Sequence, residues 1–232
     1  MPGPAIPDFL NHSPFEAEYL DGPVYRLTGP AEAAQAVRFG QQAGAALISC
    51  RTNTDLSMAG FRKIETLVTL ETETLLEARA PAGFTVRDAT PADIDSCRAI
   101  AIAELRQNRF HADPEIDNAA ADALRAAWIE NAIRGRADRV LVACIGDKVV
   151  GFNALLRRND AIVIDLIAVA GSAQGRGIGG ALVASIGQGE SVSRIRVGTQ
   201  AANTASLAFY KRLGFNETDR QDTWHWTPGP SR

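Results

Sequence analysis

Residues 162–189, IVIDLIAVAGSAQGRGIGGALVASIGQG, join a β-branched apolar run to a glycine-dense turn and then to a stretch of small and aliphatic residues. Ile162, Val163, Ile164, Leu166, Ile167 and Val169 read as a strand buried on both faces, and Gly177 to Ile186 read as a helix. In the turn Gln174-Gly175-Arg176-Gly177-Ile178-Gly179-Gly180, glycines remove Cβ atoms from successive peptides. Several backbone N–H groups can then converge on one anion at a helix start. Arg176 adds a positive charge at the rim, and the turn suits a pyrophosphate. Gly175, Gly177 and Gly180 also satisfy the dinucleotide fingerprint G-x-G-x-x-G. That fingerprint should follow its strand directly and be answered about 20 residues later by a carboxylate at the end of the next strand. Here residues 170–174 intervene, and the next strand, Ile195 to Val197, runs into Gly198-Thr199-Gln200 without one.

Working outward toward the C-terminus, Ser193 to Gly198 reads as a strand and Asn203 to Leu213 as a helix closed by Gly214. Asn203, Ser206, Leu207 and Tyr210 fall at i, i+3, i+4 and i+7, which puts them on one stripe. The spacing Gln174-x-x-Gly177-x-Gly179 after a hydrophobic strand resembles the coenzyme A loop of the GNAT acetyltransferase superfamily. Thr199-Gln200-Ala201-Ala202-Asn203, then Ala205, Tyr210 and Leu213-Gly214-Phe215, resemble its last characteristic segment. The resemblance implies an α/β fold with a mixed, mostly antiparallel sheet flanked by helices, acetyl-CoA as cosubstrate and no metal. It implies a coenzyme contact for Asn203 and a general-acid role for Tyr210, whose alternative from periodicity alone is packing with Leu207 and Leu213. It also implies a bulge in the central strand at Ala168 and Val169, where a backbone N–H polarises the thioester carbonyl. The coenzyme set is then Ile167, Ala168, Val169, the residues 174–180, Asn203 and Ser206.

Toward the N-terminus, Val140 to Ile145 and Val149 to Leu156 read as a hairpin around Gly146-Asp147-Lys148. Ala119 to Ile133 reads as a helix, Arg109 to Pro114 as a polar loop, and Ala92 to Arg106 as a helix introduced by Thr90, Pro91 and Asp93. Pro81 and Gly83 break periodicity and suggest a boundary, with an accessory module over 1–80 and the acetyltransferase domain over 81–232. In the accessory module Val24 to Leu27, Ala45 to Cys50 and Thr66 to Thr74 read as strands and Ala31 to Ala43 as a helix. Asn53-Thr54, Leu56 and Gly60-Phe61 echo Asn203-Thr204, Leu207 and Gly214-Phe215. The echo reads as an internal repeat, the module being a degenerate half of the same fold without a glycine loop, forming one wall of the substrate pocket.

A net charge of −3 and a pI near 5.7 argue against nucleic acid or anionic membrane as a general partner. Cys50, Cys97 and Cys144 are odd in number and widely spaced, which fits reduced thiols in a cytoplasm. No secretory leader or membrane span is expected. His12, His111 and His225 lack metal spacing.

A narrower resemblance, to members of the superfamily that N-acetylate nucleotide-linked amino sugars, rests on five further segments. These are Asn53-Thr54 with Gly60-Phe61, Arg109-Phe110, Trp128-Ile129-Glu130-Asn131, Arg134-Gly135 and Thr199-Gln200. Leu124-Arg125 departs from it, since aromatic residues are expected there. This resemblance implies a small-molecule amine, a nucleotide amino sugar, as acceptor and Glu65 as the base; from sequence alone Glu65 could equally be a solvated charge on an edge strand. Arg51, Arg62 and Arg109 would face a diphosphate, while Asn53, His111 and Asp113 would complete the pocket. The alternatives are transfer to another small amine or a protein N-terminus, and a non-catalytic acyl-CoA-binding regulatory module. A homodimer stays open.

Overall fold

The computed structural model describes residues 4–73, 83–187 and 194–229, so the boundary expected near residues 80 and 81 lies outside the described residues. The strands are β1 (Leu10–His12), β2 (Val24–Leu27), β3 (Leu47–Arg51), β4 (Arg62–Thr72), β5 (Thr85–Asp88), β6 (Arg139–Ile145), β7 (Lys148–Arg158), β8 (Ala161–Val169), β9 (Arg194–Gln200) and β10 (Asn216–Trp226). The α-helices are α1 (Pro14–Ala17), α2 (Ala33–Ala43), α3 (Ile94–Glu104), α4 (Arg109–Ala112), α5 (Asn118–Asn131), α6 (Ile178–Ala184) and α7 (Thr204–Arg212). All ten strands form one sheet in the order β1-β2-β3-β10-β4-β9-β8-β7-β6-β5. Only β2·β3 and β8·β9 are parallel pairs, which gives the mixed, mostly antiparallel sheet expected and excludes the doubly wound alternative.

Local chemistry accounts for the starts of four helices. The Thr90 N–H donates to the Asp93 carboxylate at 2.7 Å, closing a capping box before α3. Asp117 accepts from the N–H groups of Ala119 and Ala120 at the start of α5, and Asn203 accepts from that of Ser206 at the start of α7. The loop expected at Arg109 to Pro114 contains α4, because Asn108 accepts from the N–H groups of Phe110 and His111 and caps a short turn of helix.

The repeat read from the sequence has a structural counterpart. Around the contact of β10 with β4, the order β2-β3-β10-β4-β9-β8 is the same read from either side. Each half contributes a parallel pair joined through a helix, then a last strand that pairs across into the other half. Gly60 and Gly214, at φ +87° and +82°, precede β4 and β10; only glycine takes this left-handed conformation at little cost. The core of the earlier half joins Phe39 and Ile48, among others, to Trp224 and Trp226, which β10 brings across from the later half. The later half packs α6 and α7 on one face of the sheet through Ile178, Leu182, Tyr210 and Phe215. It packs α3 and α5 on the other through Ile100, Ile129, Phe152 and Leu166.

The feature that shapes the site is a break in β8. Register with β9 holds from Ala161↔Arg194 to Ile164↔Val197; beyond it β8 follows β7 to Val169, while β9 follows β4 to Gln200. The register shift on β8 falls at Asp165, since Ala154 faces Leu166 and Leu155 faces Ile164. This corrects the expected bulge at Ala168 and Val169. The extra residue reverses the face that each following side chain takes. Ile162 and Ile164 lie in the α6/α7 core, whereas Leu166 and Ala168 lie in the α3/α5 core, and Ile167 and Val169 take over the α6/α7 side.

Candidate active site

Where β8 leaves β9, a cleft of about 740 Å³ opens. Its walls include Ile167, Ala168, Val169, Gln174, Gly175, Gly177, Ile178, Gly179, Gly180, Asn203, Ser206 and Tyr210. Arg176 is exposed and stands outside the lining. The strand edge explains the polar part of the wall. Ala170 N–H donates to Val150 O on the β7 side, so alternation along the strand turns the peptides of Val169 and Ile167 toward the open edge. On that edge the Val169 carbonyl accepts from Gln174 Nε2 at 2.9 Å, which leaves the Val169 N–H facing the opening.

The glycine turn has a shape only glycine allows. Gly175 and Gly177 sit at φ +75° and +81°, and Gly177 forms the N-cap of α6. A Cβ on Gly179 would come within 3.3 Å of Phe209 Cζ, so its absence lets α6 lie against α7. Glu104, at the end of α3, fixes the turn from outside by accepting from Gly171 N–H at 2.8 Å and from Gln174 Nε2 at 3.0 Å. Nothing local in the sequence marks Glu104, because its partners lie far along the chain.

Tyr210 is buried against Phe209 and Phe215, with ring centroids 5.0 and 5.3 Å away. Burial pushes its phenol well above the ordinary value of 10.0, so it carries its proton throughout the neutral range. Asn203 spends its side-chain oxygen capping α7 while remaining in the cleft wall.

The residues expected to hold the acceptor stand outside the cleft lining, and most of them are already engaged. Arg109 pairs with buried Glu16 at 2.6 Å, which Arg26 also clasps. Asp113 is fully buried between Arg62, at 2.7 Å, and His225 Nδ1, at 2.8 Å. His111 lies between Asn108 and Asp122. Asn53 ties its loop to the backbone of Arg220 and Asp222.

Glu65 is different. Its Oε2 is buried without a partner, and its Oε1 is 3.4 Å from the Thr223 hydroxyl. Burial raises its pKa against the pull of Arg51, Arg109 and Arg125 and a hydrogen bond from Gln200. Arg51 reaches solvent, yet desolvation lowers its pKa against the opposing pull of Glu65. Arg125 stands out only in the structure, its Nε buried without a partner; the available sequence signal was a charge at i+4 from Ala121 and i−3 from Trp128, on the apolar stripe of its helix. What this arrangement offers chemically is a retained phenol proton in the cleft wall and, on β4 past the end of β9, a carboxylate with one buried oxygen unpartnered.

Three comparisons bear on this geometry. Residues 100–215 match the acetyltransferase (GNAT) family. The dTDP-fucosamine acetyltransferase of Escherichia coli O6:H1 is 34% identical over 142 residues, 58% of this chain and 58% of the relative. The spore coat polysaccharide biosynthesis protein SpsD of Bacillus subtilis is 27% identical over 154 residues, 65% of this chain and 53% of the relative. The chain thus spans little more than half the length of the curated relatives it matches. Among solved structures, a GCN5-related N-acetyltransferase from Kribbella flavida superposes with a TM-score of 0.60 at 15% identity, over 89% of this chain and 82% of that one; the likeness is one of fold. With half of its residues inside the family match and a sheet of the same architecture, the chain belongs to the acetyltransferase (GNAT) family.

Proposed function

We propose that this protein transfers an acetyl group from acetyl-CoA to the amino group of a nucleotide-linked amino sugar. The observation that carries the proposal is the meeting of the glycine turn and Tyr210 in one cleft at the splayed edge of β8, with Glu65 on β4 just past the end of β9. The residues present fit the coenzyme. A turn whose glycines are held at positive φ leaves room for phosphates against backbone N–H groups, and the open β8 edge continues from it as a slot onto which the Ile167 and Val169 N–H groups face. Acetyl-CoA supplies an acyl thioester, already activated toward an amine.

Within that reading each residue has a task. Glu65 takes the proton that an ammonium must lose, and its raised pKa makes it a stronger base than an ordinary carboxylate. The Val169 N–H donates to the oxygen that gains charge as the amine attacks. Tyr210 gives its proton to the departing sulfur. Glu104 and Gln174 hold the turn so that its amides stay aligned. The sugar part of the proposal is supported by the two curated relatives, one named a dTDP-fucosamine acetyltransferase and the other a spore coat polysaccharide biosynthesis protein. The test is to incubate the protein with acetyl-CoA and TDP-, UDP- and GDP-linked amino sugars and follow free thiol. Release that requires a nucleotide sugar supports the proposal; release with peptides alone overturns it.

A further inference from the structure

Around Glu65 the ionic groups are unevenly matched. Arg109 is held by Glu16, Arg62 by Asp113 and Arg136 by Asp165. Among the described residues Arg125 has no hydrogen bond and no ion pair, and its Nε is buried without a partner. Its guanidinium is fixed between two rings, 5.6 Å from the centre of Phe110 and 5.1 Å from that of Trp128. Trp128 is itself locked by its Nε1 donating to Asp165 at 3.1 Å. The carboxylates of Glu65, Asp165 and Glu16 act on Arg125 from beyond contact, and so does the positive charge of Arg51. Arg51 likewise has no ion-pair partner among the described residues. A ring-walled cation, Arg125, and an exposed one, Arg51, therefore lie within electrostatic reach of one half-satisfied carboxylate.

A desolvated charge without a partner is costly. Ring stacking holds the guanidinium in position but offsets only part of that cost. A ligand that brings its own negative charge would complete the set. We infer that Arg125 and Arg51 together bind an acidic group of the acyl acceptor and thereby aim its amine at Glu65. The inference rests on the acetyl-transfer reading and narrows it to amines bearing a phosphate or a carboxylate. In a nucleotide-linked amino sugar the acidic group is the diphosphate; in an amino-uronic acid it is the carboxylate.

The test begins with calorimetric titration of acetyl-CoA into the wild-type protein, since absence of binding there defeats the acetyl-transfer reading itself. TDP, inorganic pyrophosphate and an amino-uronic acid are then titrated into wild type, Arg125→Gln and Arg125→Lys. Charge-assisted hydrogen bonds of this kind predict that Arg125→Gln binds the preferred acidic probe about ten- to a hundredfold more weakly. Arg125→Lys should recover part of the loss, and the affinity for acetyl-CoA should not change. Whether TDP and pyrophosphate or the uronic acid respond identifies phosphate or carboxylate as the group recognised. Turnover of one amino sugar as its neutral form, its 1-phosphate and its nucleoside-diphosphate conjugate should favour an acidic form in wild type, with that preference collapsing in Arg125→Gln. Wild type that binds acetyl-CoA but none of the acidic probes overturns the inference and spares the acetyl-transfer reading, as do equal affinities in wild type and Arg125→Gln. A loss in Arg125→Gln that falls equally on neutral and acidic acceptors also overturns it.

Discussion

Tyr210 combines two properties that pull in opposite directions for a surface residue: it is nearly inaccessible, and its ring lines the cleft. Removing only the hydroxyl separates packing from proton transfer. Tyr210→Phe should lower kcat by about a hundredfold or more while leaving the KM for acetyl-CoA and the melting temperature close to wild type; unchanged turnover would reduce Tyr210 to a packing role. Glu65 makes a complementary prediction through pH. A base works only when deprotonated, so a carboxyl whose pKa is raised by burial moves the acidic limb of kcat/KM above the ordinary carboxylate range. Glu65→Gln should abolish that limb and slow the reaction. The phenol is displaced upward from 10.0, so the alkaline fall in rate should lie above that value. A limb at an ordinary carboxylate pKa that survives in Glu65→Gln would assign the base elsewhere.

At the scale of elements, the glycine turn is held by two devices. Gly175 and Gly177 occupy left-handed backbone, where a side chain costs about 1–2 kcal/mol per residue. Glu104 ties the loop to the end of α3. Gly177→Ala should raise the KM for acetyl-CoA about tenfold. Glu104→Ala should raise it several-fold, in line with the roughly 1.5–3 kcal/mol that hydrogen bonds to a charged group contribute, reduced here by solvent. Both are read from initial rates at varied acetyl-CoA, and a change confined to the acceptor KM would disconnect this loop from the coenzyme. The bulge at Asp165 belongs to the same scale. It reverses the side-chain faces of the strand and is pinned from the α5 side by Trp128 and Arg136.

For the molecule as a whole, β10 is the strand that joins the halves, pairing with β3 on one side and β4 on the other. His225 on that strand is fully buried and bonded to Asp113, which Arg62 also holds. Burial lowers the pKa of His225 to about 4, while the hydrogen bonds of His225 and Arg62 outweigh burial and bring Asp113 down to about 2. The unfolded imidazole takes up a proton below about 6.5, which the folded one refuses until about 4. The unfolded state therefore binds more protons across that window, and stability falls as pH falls through it. Urea unfolding at pH 7, 6 and 5 should show this decline, and His225→Asn should flatten it by up to one proton; an identical slope in the variant would place the acid sensitivity elsewhere. No helix among the described residues is long and apolar enough to cross a membrane.

Much of this was legible in the chain itself. Continuous β-branched runs and glycine punctuation located β8, α6, β9 and α7, because these signals act within a few residues and need no partner. The stripe through Asn203, Ser206 and Tyr210 followed from helical geometry alone, and the echo of Asn53 to Phe61 in Asn203 to Phe215 anticipated the two-fold order of the sheet. Tertiary structure decided the rest. A register shift at Asp165, an ion pair between Glu16 and Arg109, and the loop brace from Glu104 depend on residues brought together from distant parts of the chain. Whether Arg125 is paired or free, and whether Asp113 faces a ligand or a histidine, is fixed by which strands lie side by side, and sequence spacing carries no record of that.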